Sequence, residues 1–388
     1  MTACRYDSGG GRMKYVTEYR DAARAQALAA TIRAEAAPGG AYAFMEFCGG
    51  HTHAISRYGI EDLLPPDIRM IHGPGCPVCV LPVGRIDAAI ALARNPRVTL
   101  CTYADLMRVP ASRGNSLQKA KAAGADIRMV YSTLDALRIA AAEPAREVVF
   151  FAIGFETTTP PTAIAVQRAA RDGLANFSVF CNHVLTPVAM RAILATDAAD
   201  SVHLDGFVGP AHVSTVIGTE PYRAVAAEFR KPVVVAGFEP LDVMQAVLLL
   251  VRQVNEGRCE VENQYIRAVT EAGNLRAQAA VAEVFDLRDR FEWRGLGWVP
   301  HSALRLRSEF SRFDAEIRFA LETPSASDNP ACECAAILRG KKRPAECRLF
   351  GTACTPETPM GSCMVSSEGA CAATWSYGRF RQPARLAS

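Results

Sequence analysis

Four short stretches of this 388-residue chain carry residue types that do chemistry, and cysteine occurs in three of them. The first is Phe44-Met45-Glu46-Phe47-Cys48-Gly49-Gly50-His51-Thr52-His53. It ends an apolar run on a thiol, two glycines and two imidazoles. A thiolate is a soft ligand suited to low-spin iron, and imidazole ligates metals or transfers protons. The glycines permit a tight turn and close backbone approach to a ligand. A buried structural cysteine is the plainer reading, but it leaves the polar Gly-Gly-His-Thr-His turn unexplained. The second stretch, Gly73-Pro74-Gly75-Cys76-Pro77-Val78-Cys79, puts a Cys-x-x-Cys where a strand gives way to a helix. A helix N-terminus lowers thiol pKa, so the pair reads as a dithiol/disulfide couple. Zinc or an inert pair is the competing reading, although no second Cys-x-x-Cys completes a zinc ribbon. The third, Gly154-Phe155-Glu156-Thr157-Thr158-Thr159-Pro160, offers Glu156 as a general base or as an anchor for a cationic partner. Helix capping by this stretch is the simpler role. Cys181-Asn182-His183, Gly209-Pro210-Ala211-His212 and Gly237-Phe238-Glu239-Pro240 add two imidazoles and a carboxylate that suit structure or chemistry equally.

The fourth stretch gathers Cys332, Cys334, Cys347, Cys354, Cys363 and Cys371, six of the thirteen cysteines, within forty residues. The core spacing is Cys334-x12-Cys347-x6-Cys354-x16-Cys371, in a chain made loop-rich by Pro344, Gly351, Pro356, Pro359 and Gly361. Four thiolates on such loops suit an iron–sulfur cluster. Zinc Cys4 competes, without its usual short paired spacings. Six thiols are available, and spacing alone does not select four.

The elements that must position these groups are strands and helices in alternation. Apolar or β-branched runs occur at Tyr42–Phe47, Ile68–His72, Val98–Thr102, Ile127–Tyr131, Val148–Ile153, Ser178–Cys181, Gly206–Val208 and Pro232–Ala236. The first five run nearly unbroken, the pattern of strands buried on both faces. Alanine-rich helical stretches lie between them, including Gly84–Arg94, Leu134–Ala142, Pro161–Arg171 and Pro187–Ala195. Strands alternating with helices predict parallel sheets with right-handed crossovers. The expected fold class is α/β: two doubly wound, Rossmann-like parallel-sheet domains plus a smaller C-terminal iron–sulfur domain, with a barrel as runner-up. A break near Pro110–Gly114 suggests a flexible extension over 1–12, an α/β domain over 13–112, a second over 113–255 and the cluster domain over 256–388. Within the last, Val261–Phe285 reads as helix, Trp293–Leu306 as strand-like and turn-rich, and Thr323–Pro330 as a linker. In open parallel sheets, functional groups collect beyond the carboxyl ends of the strands, where the first three stretches fall.

Composition narrows the function. Hydrophobic residues make up 49% and charged residues 21%, ordinary globular usage. Lys+Arg 43 against Asp+Glu 40 leaves +3, and no concentrated basic block marks a nucleic-acid partner. Apolar runs such as Ala246–Val251 fall far short of the ~20 residues that span a bilayer. The N-terminus lacks the apolar region of a secretory signal. The expectation is a cytoplasmic protein without membrane insertion, in which thiols stay reduced unless they serve metal or redox chemistry. No P-loop, no Gly-x-Gly-x-x-Gly and no Gly-x-Ser-x-Gly is present.

Taken together, these stretches resemble the HypD family of hydrogenase maturation factors. The resemblance runs from Met13-Lys14-Tyr15 through Glu46–His53, Gly73–Cys79, Gly154–Thr158 and the four-cysteine spacing to Cys363-Met364-Val365-Ser366-Ser367-Glu368-Gly369-Ala370-Cys371. Departures are small: Ala211 stands where glycine is expected, Thr374-Trp375 replaces a more usual aromatic pair, and Cys4 with the first twelve residues is extra. The resemblance implies a scaffold and redox protein on which the Fe(CN)2CO group of [NiFe]-hydrogenases is assembled. It implies partnership with a HypC-type chaperone, which shares the iron, and with HypE, which delivers cyanide from a thiocyanate. It further implies Cys48 as iron ligand, Cys76 and Cys79 as the redox pair, and Cys334, Cys347, Cys354 and Cys371 as [4Fe–4S] ligands. Releasing cyanide from thiocyanate takes two electrons, so a relay from cluster to Cys76/Cys79 to the iron is expected, with His51 or His53 handling protons. Two alternatives are a stand-alone iron–sulfur thiol–disulfide oxidoreductase and a carbamoyl- or cyano-transferring enzyme with Glu156 as base.

Overall fold

The computed structural model of the chain describes residues 17–196, 201–324 and 326–378. The expected 1–12 extension, Cys4 and Met13-Lys14-Tyr15 lie outside the described residues. All eight apolar runs form strands: β1 (Tyr42–Glu46), β2 (Ile68–His72), β3 (Val98–Thr102), β4 (Ile127–Met129), β5 (Glu147–Gly154), β6 (Phe177–His183), β7 (Gly206–Pro210) and β8 (Val233–Ala236). A ninth, β9 (Val261–Asn263), joins them. They build two open sheets rather than a barrel, ordered β2-β1-β7-β8-β9 and β4-β3-β5-β6, and every pairing in them is parallel. The architecture is α/β with Rossmann-like parallel sheets.

The sheets divide the chain differently from the expected 13–112 and 113–255. β3 precedes Pro110–Gly114 yet pairs with β4 and β5 beyond it, and β1 pairs with β7, more than 150 residues downstream. The second sheet is therefore inserted between two parts of the first. Strand partners depend on long-range burial, which a local break in composition does not report.

Both faces of each sheet are covered, so neighbouring residues of one strand enter different cores. Tyr42 and Phe44 pack with Ala25, Ala29 and Ile32 of the helix Ala22–Glu35, whereas Ala43 and Met45 point into a second core. In β5, Val148, Phe150 and Ala152 face outward to helix Thr159–Arg171, and Val149, Phe151 and Ile153 face that same second core. This inner core is common to both sheets, and Cys76, Cys79, Cys334, Cys354, Cys363 and Cys371 all belong to it. Each fully buried Val, Ile or Phe contributes ~1.5–3 kcal/mol of transfer free energy. The cysteines are thus fixed by the packing that joins the sheets.

The expected helix over Val261–Phe285 is shorter than the pattern suggests. Val261–Asn263 extends along the open edge of β8, and the helix covers only Leu275–Val284. Gly273 takes φ +68 against the backbone of Ile217 and Gly218, and the Asn274 side chain accepts from Ala277 N–H at 3.1 Å to start the helix. An available strand edge outweighs local helix propensity here. Beyond it lie β10 (Phe285–Leu287), β11 (Arg290–Trp293), β12 (Gly297–Pro300) and β13 (Leu304–Leu306), paired antiparallel as β10 with β13 and β11 with β12. Residues 331–378 carry only short helical pieces, chiefly Cys334–Leu338 and Ala370–Ala373. No helix among the described residues is long and apolar enough to cross a membrane.

Candidate functional site

In the first sheet the connection from β1 leads to β2 on one side, while β7 lies on the other. Loops leaving neighbouring strands in opposite directions open a crevice at their carboxyl ends. Cys48 and His212 meet there: Cys48 Sγ lies 3.4 Å from His212 Nδ1. Cys48 caps the helix Gly49–Tyr58, its sulfur accepting from Gly50 N–H at 3.4 Å, and it is buried.

The parallel register supplies the support. It sets Glu46 opposite His72 across β1 and β2, and the Glu46 carboxylate accepts from His72 Nδ1 at 2.9 Å. The same carboxylate accepts from Cys48 N–H at 2.8 Å and from the Thr52 hydroxyl. Burial works against a charged His72, but the bond to Glu46 outweighs it and raises the imidazole pKa. For Cys48 every large influence acts one way. Burial pushes the thiol well above its ordinary value, and the negative charges of Glu368 and Glu46 push it further. A cation bound at such a thiol would displace its proton and balance the charge of the two carboxylates.

Two further imidazoles follow Cys48. His51 Nε2 lies 3.0 Å from the carbonyl oxygens of both Ala236 and Gly237, so Nε2 carries the proton. Its Nδ1 is buried without a hydrogen-bond partner, and burial lowers the ring pKa. The Phe238 ring packs against both His51 and His212, at centroid distances of 4.8 and 5.2 Å. His212 is likewise kept neutral by burial, its pKa lowered to about 4. His53 turns elsewhere and packs edge-on against Tyr377 at 5.2 Å.

The Cys-x-x-Cys touches this crevice directly. A Cβ on Gly75 would overlap the backbone of Phe47 and Cys48, and Gly49 N–H donates to Gly75 O at 3.3 Å. Cys76 and Cys79 form a disulfide, with Cα atoms 5.2 Å apart and both residues buried. On the far side, Ser362 Oγ donates to Cys79 O at 3.0 Å and lies 3.7 Å from Cys334 Sγ. All six C-terminal cysteines line one cavity together with Ile337, Leu349, Phe350 and Met364. Among the described residues no three His, Cys, Asp or Glu side chains converge on a single metal-ion position.

That donor set fits an iron–sulfur cluster. Backbone N–H groups already point at sulfur, Met360 to Cys354 at 3.3 Å and Cys363 to Cys334 at 3.2 Å. Such bonds tune cluster sites. Burial raises the Cys371 thiol well above its ordinary value, and the charges of Cys334, Cys354, Cys332 and Cys347 raise it further. These thiols ionise together only around positive charge. Cys332 and Cys363 share the cavity with the expected Cys334, Cys347, Cys354 and Cys371.

Glu156 sits apart from this line. Its carboxylate accepts from Thr186 N–H at 2.7 Å and Thr186 Oγ1 at 2.8 Å, which anchors the helix Thr186–Leu194. Burial raises its pKa to about 7. His183, weighed with it, bonds Thr162 Oγ1 at 3.0 Å inside the second sheet's outer layer. Sequence reasoning weighed His212 evenly between structure and chemistry and gave Glu46, Glu368 and Ser362 no role in the site. His212 gave the clearest signal, an imidazole at a strand end; what was lacking was that β7 neighbours β1.

The family model described as HypD, "Hydrogenase formation hypA family", matches residues 23–378. The hydrogenase maturation factor HypD of Rhizobium leguminosarum bv. viciae is 71% identical over 376 residues, covering 96% of this chain and 98% of the relative. HypD2 of Bradyrhizobium diazoefficiens is 68% identical over 372 residues, 95% and 98% of the two chains. HypD of Escherichia coli K12 is 48% identical over 370 residues, 94% and 98%.

Two outcomes test this geometry. Gly75→Ala forces the Cys48 backbone aside, so alkylation of Cys48, followed by mass spectrometry, becomes at least several-fold faster than in the parent. Glu156 binds its proton more tightly in the folded state, so its contribution to stability is present below about pH 4.5 and lost as pH rises through about 7. Thermal unfolding across that window therefore shows a falling slope, which Glu156→Gln flattens.

Proposed function

Because the chain belongs to the HypD family of hydrogenase maturation factors, we propose that it holds iron at Cys48 while the Fe(CN)2CO group of [NiFe]-hydrogenases is built. In this reading a HypC-type chaperone completes the iron site and HypE brings cyanide as a protein-bound thiocyanate. The observation that carries the reading is an unbroken line of contacts. It runs from Cys48 through the Gly75 backbone to the Cys76–Cys79 disulfide, then through Ser362 to Cys334 and the six-cysteine cavity.

Cys334, Cys347, Cys354 and Cys371 would hold a [4Fe–4S] cluster, which would supply electrons one at a time. Cys76 and Cys79 turn single electrons into a two-electron step. As two thiols they meet the S–C bond of the thiocyanate, and that bond breaks. The carrier's sulfur leaves as a thiol, cyanide leaves for the iron, and the pair closes as a disulfide. Of the two protons released by the pair, one goes to the departing thiol. The other goes to solvent, because burial holds the rings of His51 and His212 neutral. Glu46 fixes the Cys48 backbone, and together with Glu368 offsets the charge of bound iron.

Exposures of 3% for Cys76 and 0% for Cys79 argue against a stand-alone oxidoreductase acting on free disulfides. The holding of both Glu156 oxygens by Thr186 argues against Glu156 as a transferase base.

Infrared spectroscopy of the chain purified anaerobically with its small chaperone tests the scaffold. Two cyanide bands and one carbonyl band are expected, and Cys48→Ser removes all three while leaving cluster absorption unchanged. A blank window from an iron-loaded, intact complex moves the function to electron transfer at Cys76 and Cys79. Cys76→Ser keeps the cluster absorption but abolishes hydrogenase maturation; normal hydrogenase activity in that variant rules out the relay.

A further inference from the structure

A cleft of about 950 Å³ lies outside the line just described. It opens between the stretch that follows β3 and the two loops flanking the cysteines, 327–330 and 357–360. Met360 ties it to the cysteine cavity: the residue lines the cleft, and its N–H donates to Cys354 Sγ at 3.3 Å. One residue therefore separates a solvent-accessible wall from a sulfur of the proposed cluster.

The charges lining the cleft are unbalanced. Arg108 and Arg113 are exposed, and neither has a hydrogen-bond or ion-pair partner among the described residues. Lys119 Nζ donates to the Gly114 carbonyl and has no carboxylate partner among the described residues. Of the acidic residues there, Asp328 is engaged by the buried Arg294 at 2.8 Å, and Glu357 is the other. Arg113 also takes φ +56, in the left-handed region that side-chain-bearing residues enter at a cost. The turn is held from both ends. Asp87 accepts from Ser112 N–H at 3.1 Å and Ser112 Oγ at 2.6 Å, and Ala111 N–H donates to Asn115 O at 2.9 Å. Strain persists where surrounding structure enforces it, and such positions cluster at functional sites.

We propose that this cleft docks a small acidic one-electron carrier protein, with Arg108, Arg113 and Lys119 receiving its carboxylates and Met360 marking the point of electron entry. The proposal rests on the reading of the cysteine cavity as a cluster site. Each encounter oxidises the carrier by one electron and passes that electron to the cavity. Two encounters and two protons open the Cys76–Cys79 disulfide to two thiols, restoring the state that meets thiocyanate. Complementary charge speeds such encounters, and salt screens them.

Titration of the full chain with an acidic [2Fe–2S] ferredoxin, followed by calorimetry, tests the dock. Binding is expected to weaken steeply as salt rises from about 0.01 M to about 0.2 M, as the Debye length contracts from ~30 Å to under ~10 Å. Arg108→Glu/Arg113→Glu/Lys119→Glu loses at least tenfold in affinity. Arg24→Glu/Arg33→Glu/Arg69→Glu, an equal charge change elsewhere, stays within twofold. Parental affinity in the first variant, or equal loss in the second, overturns the proposal. Iron and sulfide content of the same samples separates the two readings. A cluster-free parent that still binds through the three cations keeps the dock and overturns the cluster. A cluster reduced by dithionite but not by the ferredoxin overturns the dock.

Discussion

Two backbones approach so closely at Gly75 and Cys48 that no side-chain atom fits between them. That contact fuses the loop after β1 to the loop after β2, and the rest of the site is arranged around it. With the loops fused, the Cys76–Cys79 pair cannot move away from the Cys48 thiol without dragging the sheet edge along. The short helix Pro77–Val80 also touches β5 and the Ser362–Met364 turn, so the same contact registers both sheets and the C-terminal segment against one another. The shared inner core makes the arrangement stiff, because a shift of any cysteine would open voids between two sheets at once.

Electrostatics divides the line of sulfurs into two regimes. At Cys48, a single thiol is held neutral by burial and by two carboxylates, a local field that favours an incoming cation. In the cysteine cavity the repulsion comes from the thiols themselves. Between them the disulfide is uncharged in its oxidised form and buried without an ionic partner. A neutral, buried element thus lies between the two places where charge on sulfur is most strongly opposed.

Much of this was legible in the sequence, for identifiable reasons. Eight strands announced themselves as apolar or β-branched runs, the first five nearly unbroken, as parallel strands covered on both faces leave them. The reactive stretches announced themselves because glycine, cysteine and histidine in one turn have no packing purpose. Strand order stayed hidden: nothing local in Gly206–Pro210 says that it lies against Tyr42–Glu46, and the partnership of His212 with Cys48 stayed hidden with it. Glu368 and Ser362 were overlooked for a related reason, since each acts on a residue about 300 positions away. The apolar spacing after Val261 suggested helix because periodicity cannot see an open strand edge. Glu156 stood at a strand end like the reactive residues, yet it spends both oxygens on Thr186.

The placement of Glu368 bears on the timing of synthesis. Its side chain rests where a Cβ on Gly49 would stand, its charge reaches Cys48, and the helix Ala370–Ala373 packs on Gly49–Tyr58. A ribosome adding ~5–20 residues per second reaches Glu368 roughly fifteen seconds to a minute after Cys48. Through that interval the nascent chain holds the thiol without the Glu368 carboxylate, and for about its first half without β7 as well. The pocket around Cys48 is therefore complete only once Glu368 and the helix Ala370–Ala373 have been made.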